Sequence, residues 1–380
     1  MRPTSGTFSP LGSLPESRPS LHHLAGIRWG MLAAALLLCA IGLAMVHSAS
    51  SELQIDFLPR QAMWVGIGLL LMLIAFSLDY HVVLGLAIPI YVLSLVALTL
   101  VLVLGHRAGG ARSWIGLASL GGQPSEVAKL AAALMLARYL GAAGRRFLSG
   151  RQLLVASAIV AAPMLLVVVE PDLGGALTFL PLLAAVLVVA GVRMRILVVA
   201  ALTVVIGAGA LWNWGMHEYQ RQRVMTFLNP DRDRLGAGYQ VQQGKIAVGS
   251  GQFFGKGYMQ GTQSQLRFLP ARHTDFIFAA LAEEWGFVGV AVTLWLFGLY
   301  FWSGAQVAMR ARDRSGILLV VGLLSLFAFH AVYNTAMVVG LLPITGIPLP
   351  FLSYGGSFML LNFVATGIIL GVDFRRFVNR

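Results

Sequence analysis

Long apolar runs separated by short polar breaks fill the chain from residue 29 almost to its end. They lie at 29–47, 62–78, 83–104, 123–140, 152–169, 173–191, 196–214, 276–303, 316–341 and 353–372. A bilayer core takes roughly 20 apolar residues per helix. The pattern therefore predicts an all-α, polytopic membrane protein with ten transmembrane helices. The run at 123–140 is the weakest, because it holds Glu126 and Lys129. Only Glu170, Pro171 and Asp172 part the fifth run from the sixth, which predicts a tight turn at a membrane face. Residues 1–27 are rich in Ser, Pro, Gly and His and read as a disordered tail, leaving 28–380 as a single transmembrane domain. Between runs seven and eight lies a long loop, 215–274. Its aromatic, basic and glycine-rich stretches predict short helices and turns at the membrane surface.

Composition agrees. Of 380 residues, 58% are hydrophobic and 11% charged, where roughly 25% charged is usual in soluble domains. A disordered chain, a nucleic-acid module and an ordinary soluble enzyme are excluded. The net charge of +12 would otherwise suggest an anionic polymer as partner. Sorted by side, it is mostly a topology signal. With both ends in the cytoplasm, the inner segments hold fifteen arginines: Arg2, Arg18, Arg28, Arg138, Arg145, Arg146, Arg151, Arg193, Arg195, Arg310, Arg312, Arg314, Arg375, Arg376 and Arg380. The short outer loops hold three, Arg60, Arg107 and Arg112. Lys and Arg accumulate in cytoplasmic loops, and long loops are exempt from the count. The 215–274 loop is thereby placed outside. The lone Cys39 leaves no disulfide or cysteine metal site within the chain.

Candidate chemistry lies where charge meets lipid, since an ionisable group there is expensive and functional by default. Glu126 and Lys129 stand at i and i+3, on one helix face. They can neutralise each other inside the bundle and can also present Lys129 to an anion. Asp172 reads as a helix cap or as a carboxylate for a sugar hydroxyl or a divalent cation. Asp275 closes the long loop at a helix start beside Arg272 and His273, and it too can be a cap. Glu283 and Glu284, further along that helix, read as structural, one of them pairing with an arginine. The loop's Arg221, Arg223, Arg232, Arg234, Lys245, Lys256, Arg267 and Arg272 suit lipid headgroups or the phosphates of a diphosphate-linked lipid. No nucleotide-binding, zinc or dinucleotide motif is present.

Four blocks carry a resemblance to the SEDS family (shape, elongation, division and sporulation). They are Gln123-Pro124-Ser125-Glu126 with Lys129; Pro171-Asp172-Leu173-Gly174; Gly261-Thr262-Gln263-Ser264-Gln265 through His273-Thr274-Asp275-Phe276-Ile277-Phe278; and Gly346-Ile347-Pro348-Leu349-Pro350-Phe351 with Ser353-Tyr354-Gly355-Gly356-Ser357. The resemblance runs from about residue 29 to the end, and the second half of it is similar to the family's elongation branch. Ala271, Gly116 and Gly175 depart from residues common in the family. The resemblance implies a peptidoglycan glycosyltransferase that polymerises lipid II during cell elongation, in the bacterial inner membrane. It implies Asp275 as the essential acid, and Arg60, Trp114, Glu126, Lys129, Asp172, Arg272 and His273 as substrate-site residues. It also implies a class B penicillin-binding protein and other elongation-complex proteins as partners.

An inverting transfer from an α-linked diphosphate needs a base for the acceptor hydroxyl and charge stabilisation for the leaving group. Asp275 is expected as the base. Lys129, Arg60 and loop arginines are expected at the diphosphate, with a divalent cation (Mg or Mn) on Asp172 or Asp275 as a possible aid. A lipid II flippase and a non-enzymatic scaffold are the competing expectations.

Overall fold

The computed structural model describes residues 27–51, 56–104, 106–108, 111–114, 122–143, 148–214, 218–229, 236–266 and 268–378. The tail expected over 1–27 lies outside them except for Ile27.

Each of the ten predicted runs coincides with helix. In chain order these are α1 Trp29–Ser50, α2 Leu58–Ser77, the short α3 Tyr80–Gly85, α4 Ala87–Leu104, α5 Pro124–Gly141, α6 Gly150–Val169, α7 Leu173–Leu177, α8 Phe179–Val189 and α9 Met194–Trp214. The long loop supplies α10 Glu218–Leu228, α11 Ala237–Ser250 and α12 Thr262–Gln265. The chain closes with α13 Ile277–Arg310, α14 Arg314–Val338 and α15 Gly356–Val378. Between α4 and α5 a small antiparallel ribbon, β1 His106–Ala108 and β2 Ala111–Trp114, stands where a plain loop was expected.

Local sequence sets the helix ends. Pro59 and Pro124 occupy first-turn positions of α2 and α5, where a missing N–H is harmless. Ser149 and Gln152 form a reciprocal capping box on α6, and the Asp313 side chain accepts from Gly316 N–H to start α14. The sixth run, expected as one span, is broken between α7 and α8 at Thr178. Pro181 follows at once, and its absent N–H cannot bond Leu177. Helix α13 contains one non-helical residue, Gly286, at φ 64° and ψ −160°. That left-handed backbone suits glycine. The freed N–H groups of Phe287 and Val288 bond the carbonyls of Gln252 and Phe253 at 2.9 and 3.1 Å. The loop after α11 is thus stitched into the break.

The bundle is apolar outside and selectively polar inside. Leu70, Leu73, Ile206, Trp295 and Trp302 are exposed, as lipid-facing side chains are. Glu126, Lys129, His330, Asn334, Asn362 and Thr366 are buried. Helix α15 packs chiefly on α2, α13 on α1, and α14 on α5, α13 and α8. Arg28 N–H bonds Asp373 at 2.8 Å, so both ends of the described chain meet on one face. The α10–α12 segment and the 339–355 connection lie on the other.

Candidate functional site

On that second face the four motif blocks meet. Asp172 caps α7, its Oδ1 accepting from Gly175 N–H at 2.8 Å. Its Oδ2 accepts from the Gln123 amide at 3.2 Å, and Gln123 N–H donates to Ser357 Oγ at 3.1 Å. Gly174 lies so close to the 339–355 connection that a Cβ there would stand 2.3 Å from the Thr345 carbonyl. The next residue, Gly346, is the neighbour of Asp275: a Cβ built on it would be 3.8 Å from Asp275 Oδ2. The start of α7, which Asp172 caps, and the Asp275 carboxylate therefore lie against neighbouring residues of one connection, Thr345 and Gly346.

Asp275 does not cap its helix. The N-cap of α13 is Phe276, without a side-chain cap bond. The Asp275 carboxylate makes no hydrogen bond to the described residues and keeps partial exposure. Its backbone, by contrast, is held on every side. The Ser353 hydroxyl donates to the Thr274 carbonyl at 2.8 Å, Tyr354 N–H donates to the His273 carbonyl at 2.9 Å, and the Asn334 amide donates to the Asp275 carbonyl at 2.9 Å. An unspent carboxylate on a fixed backbone is what a reacting group needs. Burial pushes its pKa up to about 6, with Arg223 on α10 opposing the rise and Asp172 adding to it.

Glu126 and Lys129 form an ion pair at 2.8 Å. Lys129 is 1% exposed. Its ammonium also meets His330 Nε2 at 3.5 Å and stands 6.0 Å from the Phe358 ring centroid. The pair lies beneath the site, inside the bundle. Arg60 is exposed on the first turn of α2. Arg272 is 2% exposed and donates to the carbonyls of Ala49, at 2.7 Å, and Ser264. It clasps α1 to α12 and does not face the open carboxylate. His273 stacks on Phe57 at 4.7 Å, with Tyr354 against both. Burial, then the Arg272 charge, lowers its pKa, so the ring is neutral near pH 7. Trp114 ends β2; its side chain lies outside the described residues.

Several residues here escaped the sequence expectations. Arg223 was one loop cation among eight, and helix α10 alone brings it to Asp275. Gln61, buried, grips the Ser353–Gly355 turn by donating to Ser353 O at 3.2 Å and accepting from Gly355 N–H at 3.3 Å. Glu283 pairs with Lys256 at 2.7 Å rather than with an arginine. It also accepts from the N–H groups of Gln263 and Ser264 at 2.9 and 3.2 Å, while Glu284 accepts from Ser48 and from Met259 N–H. These two acids fasten the loop to the break in α13. His330 and Asn334 carried the one available signal, polar residues four apart inside an apolar run. Among the described residues, no group of three or more His, Cys, Asp or Glu is arranged to hold a metal ion. The hard-oxygen donors present at the site are the carboxylates of Asp172 and Asp275.

Residues 28–376 match the family model FTSW_RODA_SPOVE, described as a cell cycle protein. Peptidoglycan glycosyltransferase MrdB of Escherichia coli is 38% identical to this chain, covering 91% of it and 93% of the relative. Rod shape determining protein RodA of Thermus thermophilus superposes with a TM-score of 0.70 at 30% identity, covering 92% of this chain and 98% of that one. A chain from a peptidoglycan synthase complex, in a structure described as coordinating polymerization and crosslinking, reaches a TM-score of 0.81 at 33% identity over the same shares.

Proposed function

The chain belongs to the FtsW/RodA/SpoVE family, it is a peptidoglycan glycosyltransferase, and we propose that it polymerises lipid II during cell elongation with Asp275 as general base. The observation that carries the assignment is the carboxylate of Asp275: it caps no helix, keeps partial exposure and stands on a backbone pinned from two elements, α14 and the 339–355 connection.

The proposed site faces outward from the inner membrane, with both chain ends in the cytoplasm. The Arg asymmetry of the short connections supports that orientation. The lipid tail of the substrate then stays in the bilayer and its sugars reach Asp275. Asp275 takes the proton of the acceptor 4-hydroxyl. The freed oxygen attacks the anomeric carbon of the donor from the face opposite the diphosphate, and the bond to the diphosphate oxygen breaks with inversion. A positioned base contributes about 10²–10⁴-fold. The leaving diphosphate carries the developing charge. Arg223, half-buried within electrostatic reach of Asp275, and the exposed Arg60 are the proposed cations for it. Lys129, enclosed with Glu126 and His330, fixes the floor beneath Asp275. A divalent cation would take Asp172 or Asp275 as an oxygen ligand and would supply further neutralisation of the diphosphate. A single-span class B penicillin-binding protein is the proposed partner, supplying the crosslinking step.

The test uses the full chain in detergent with lipid II. Glycan chains formed with no membrane dividing two compartments support the polymerase. Translocation in vesicles without polymer would replace it with the flippase.

A further inference from the structure

The connection between α14 and α15 runs through Ile347-Pro348-Leu349-Pro350. Two prolines remove two N–H groups, so this stretch cannot build a main-chain ladder of its own. Its buried carbonyls still need donors. Two side chains of α14, four residues apart and so on one face about 6 Å along the axis, supply them. Asn334 is fully buried. Its amide donates to the Ile347 carbonyl at 2.8 Å and, with its other hydrogen, to the Asp275 carbonyl at 2.9 Å. His330, 2% exposed, contacts the Pro348 carbonyl through Nδ1 at 3.1 Å. A carbonyl only accepts, so Nδ1 carries the hydrogen. Nε2 is then an acceptor, and it faces Lys129 Nζ at 3.5 Å.

We propose that Asn334 and His330 are positioning residues of the transfer site: one face of α14 fixes Asp275, the Ile347–Pro348 segment and Lys129 to a common frame. The proposal rests on Asp275 as base. Asn334 sets the backbone from which the Asp275 carboxylate projects and ties it to Ile347, next to Gly346. His330 ties the adjoining carbonyl to the buried Glu126–Lys129 pair, and hence to α5, whose first turn begins beside Gln123, the amide donor to Asp172. Neither residue touches the substrate. A misplacement of about 1 Å can cost on the order of 10²-fold in rate.

The test compares kcat and KM for lipid II, per folded molecule in detergent, for Asn334→Leu, His330→Leu and His330→Gln. Leu fills each site but donates nothing. Gln can donate to Pro348 and accept from Lys129. The expected result is a kcat loss of about tenfold or more for both Leu variants with KM within about twofold, and recovery of most of that loss in His330→Gln. A purely structural role would lower the yield of folded protein and leave kcat per folded molecule unchanged, which would overturn the proposal. Equal kcat in His330→Leu and His330→Gln would overturn it as well. If Asn334→Leu does not accumulate, the two His330 variants decide. Asp275→Asn run alongside separates the two ideas. An inactive Asp275→Asn with wild-type kcat in the Leu variants sinks only the positioning proposal, whereas an active Asp275→Asn sinks the base on which it stands.

Discussion

The raised pKa of Asp275 has two opposite consequences that can be measured on one pair of proteins. A carboxylic acid with a pKa of about 6 is roughly one-tenth ionised at pH 5 and nine-tenths ionised at pH 7. Only the ionised form accepts the acceptor's proton. The turnover rate is therefore expected to drop by about tenfold from its plateau to pH 5, where an ordinary Asp, with a pKa near 3.9, would still be more than nine-tenths ionised. Stability runs the other way. The folded-state pKa lies above the unfolded value, so the folded chain binds this proton more tightly. As pH rises from about 4 through about 6, that contribution is lost. A shift of about 2 units corresponds to at most about 3 kcal/mol, reduced by the partial exposure of the group. Asp275→Asn carries no such charge. It is expected to melt no lower than wild type at pH 7.5, with the gap closing toward pH 4.5, while forming no glycan. The assays are a pH–rate profile with lipid II and thermal melts of both proteins in detergent. A rate that stays flat from pH 7 to 5, or an Asn variant that melts below wild type at pH 7.5, would refute the reasoning.

Lys129→Met alone strands Glu126 in the bundle and is expected to cost about 3–5 kcal/mol; melting should recover in Glu126→Gln with Lys129→Met, although turnover should not if the pair also fixes the site floor. Glu283→Gln removes the partner of Lys256 and turns amide hydrogens toward the Gln263 and Ser264 N–H groups, so limited proteolysis between 256 and 265 should quicken. Gln61→Leu removes both bonds to the Ser353–Gly355 turn and should lower stability by about 1–3 kcal/mol, read as a shift in melting.

The spans were legible because lipid demands about 20 apolar residues and internal backbone bonding from each: all ten runs fall on helix, and among the described residues six helices are long and apolar enough to cross a bilayer. The acids were legible for the same reason, as exceptions to an apolar rule. Two things were not. Hydropathy does not register a helix interruption: α7 and α8 part at Thr178 and α13 opens at Gly286 inside runs that read as continuous. Nor does it say which of two acids at helix starts is spent on a cap. Asp172 and Asp275 looked alike in sequence, yet Asp172 bonds Gly175 N–H and Asp275 bonds nothing similar. The loop cations were equally ambiguous. Eight were candidates; Arg232, Arg234 and Arg267 lie outside the described residues, and among the rest α10 carries Arg223 within electrostatic reach of Asp275, while Arg272, nearer to Asp275 in sequence, turns inward to Ala49 and Ser264.

The most direct test of the account is glycan synthesis by purified Asp275→Asn protein supplied with lipid II. The account predicts no polymer above background from a folded, monodisperse protein that still binds lipid II with close to wild-type affinity. Polymer formed at the wild-type rate would contradict it, because no other described carboxylate at the site is both free of a cap and held against Gly346.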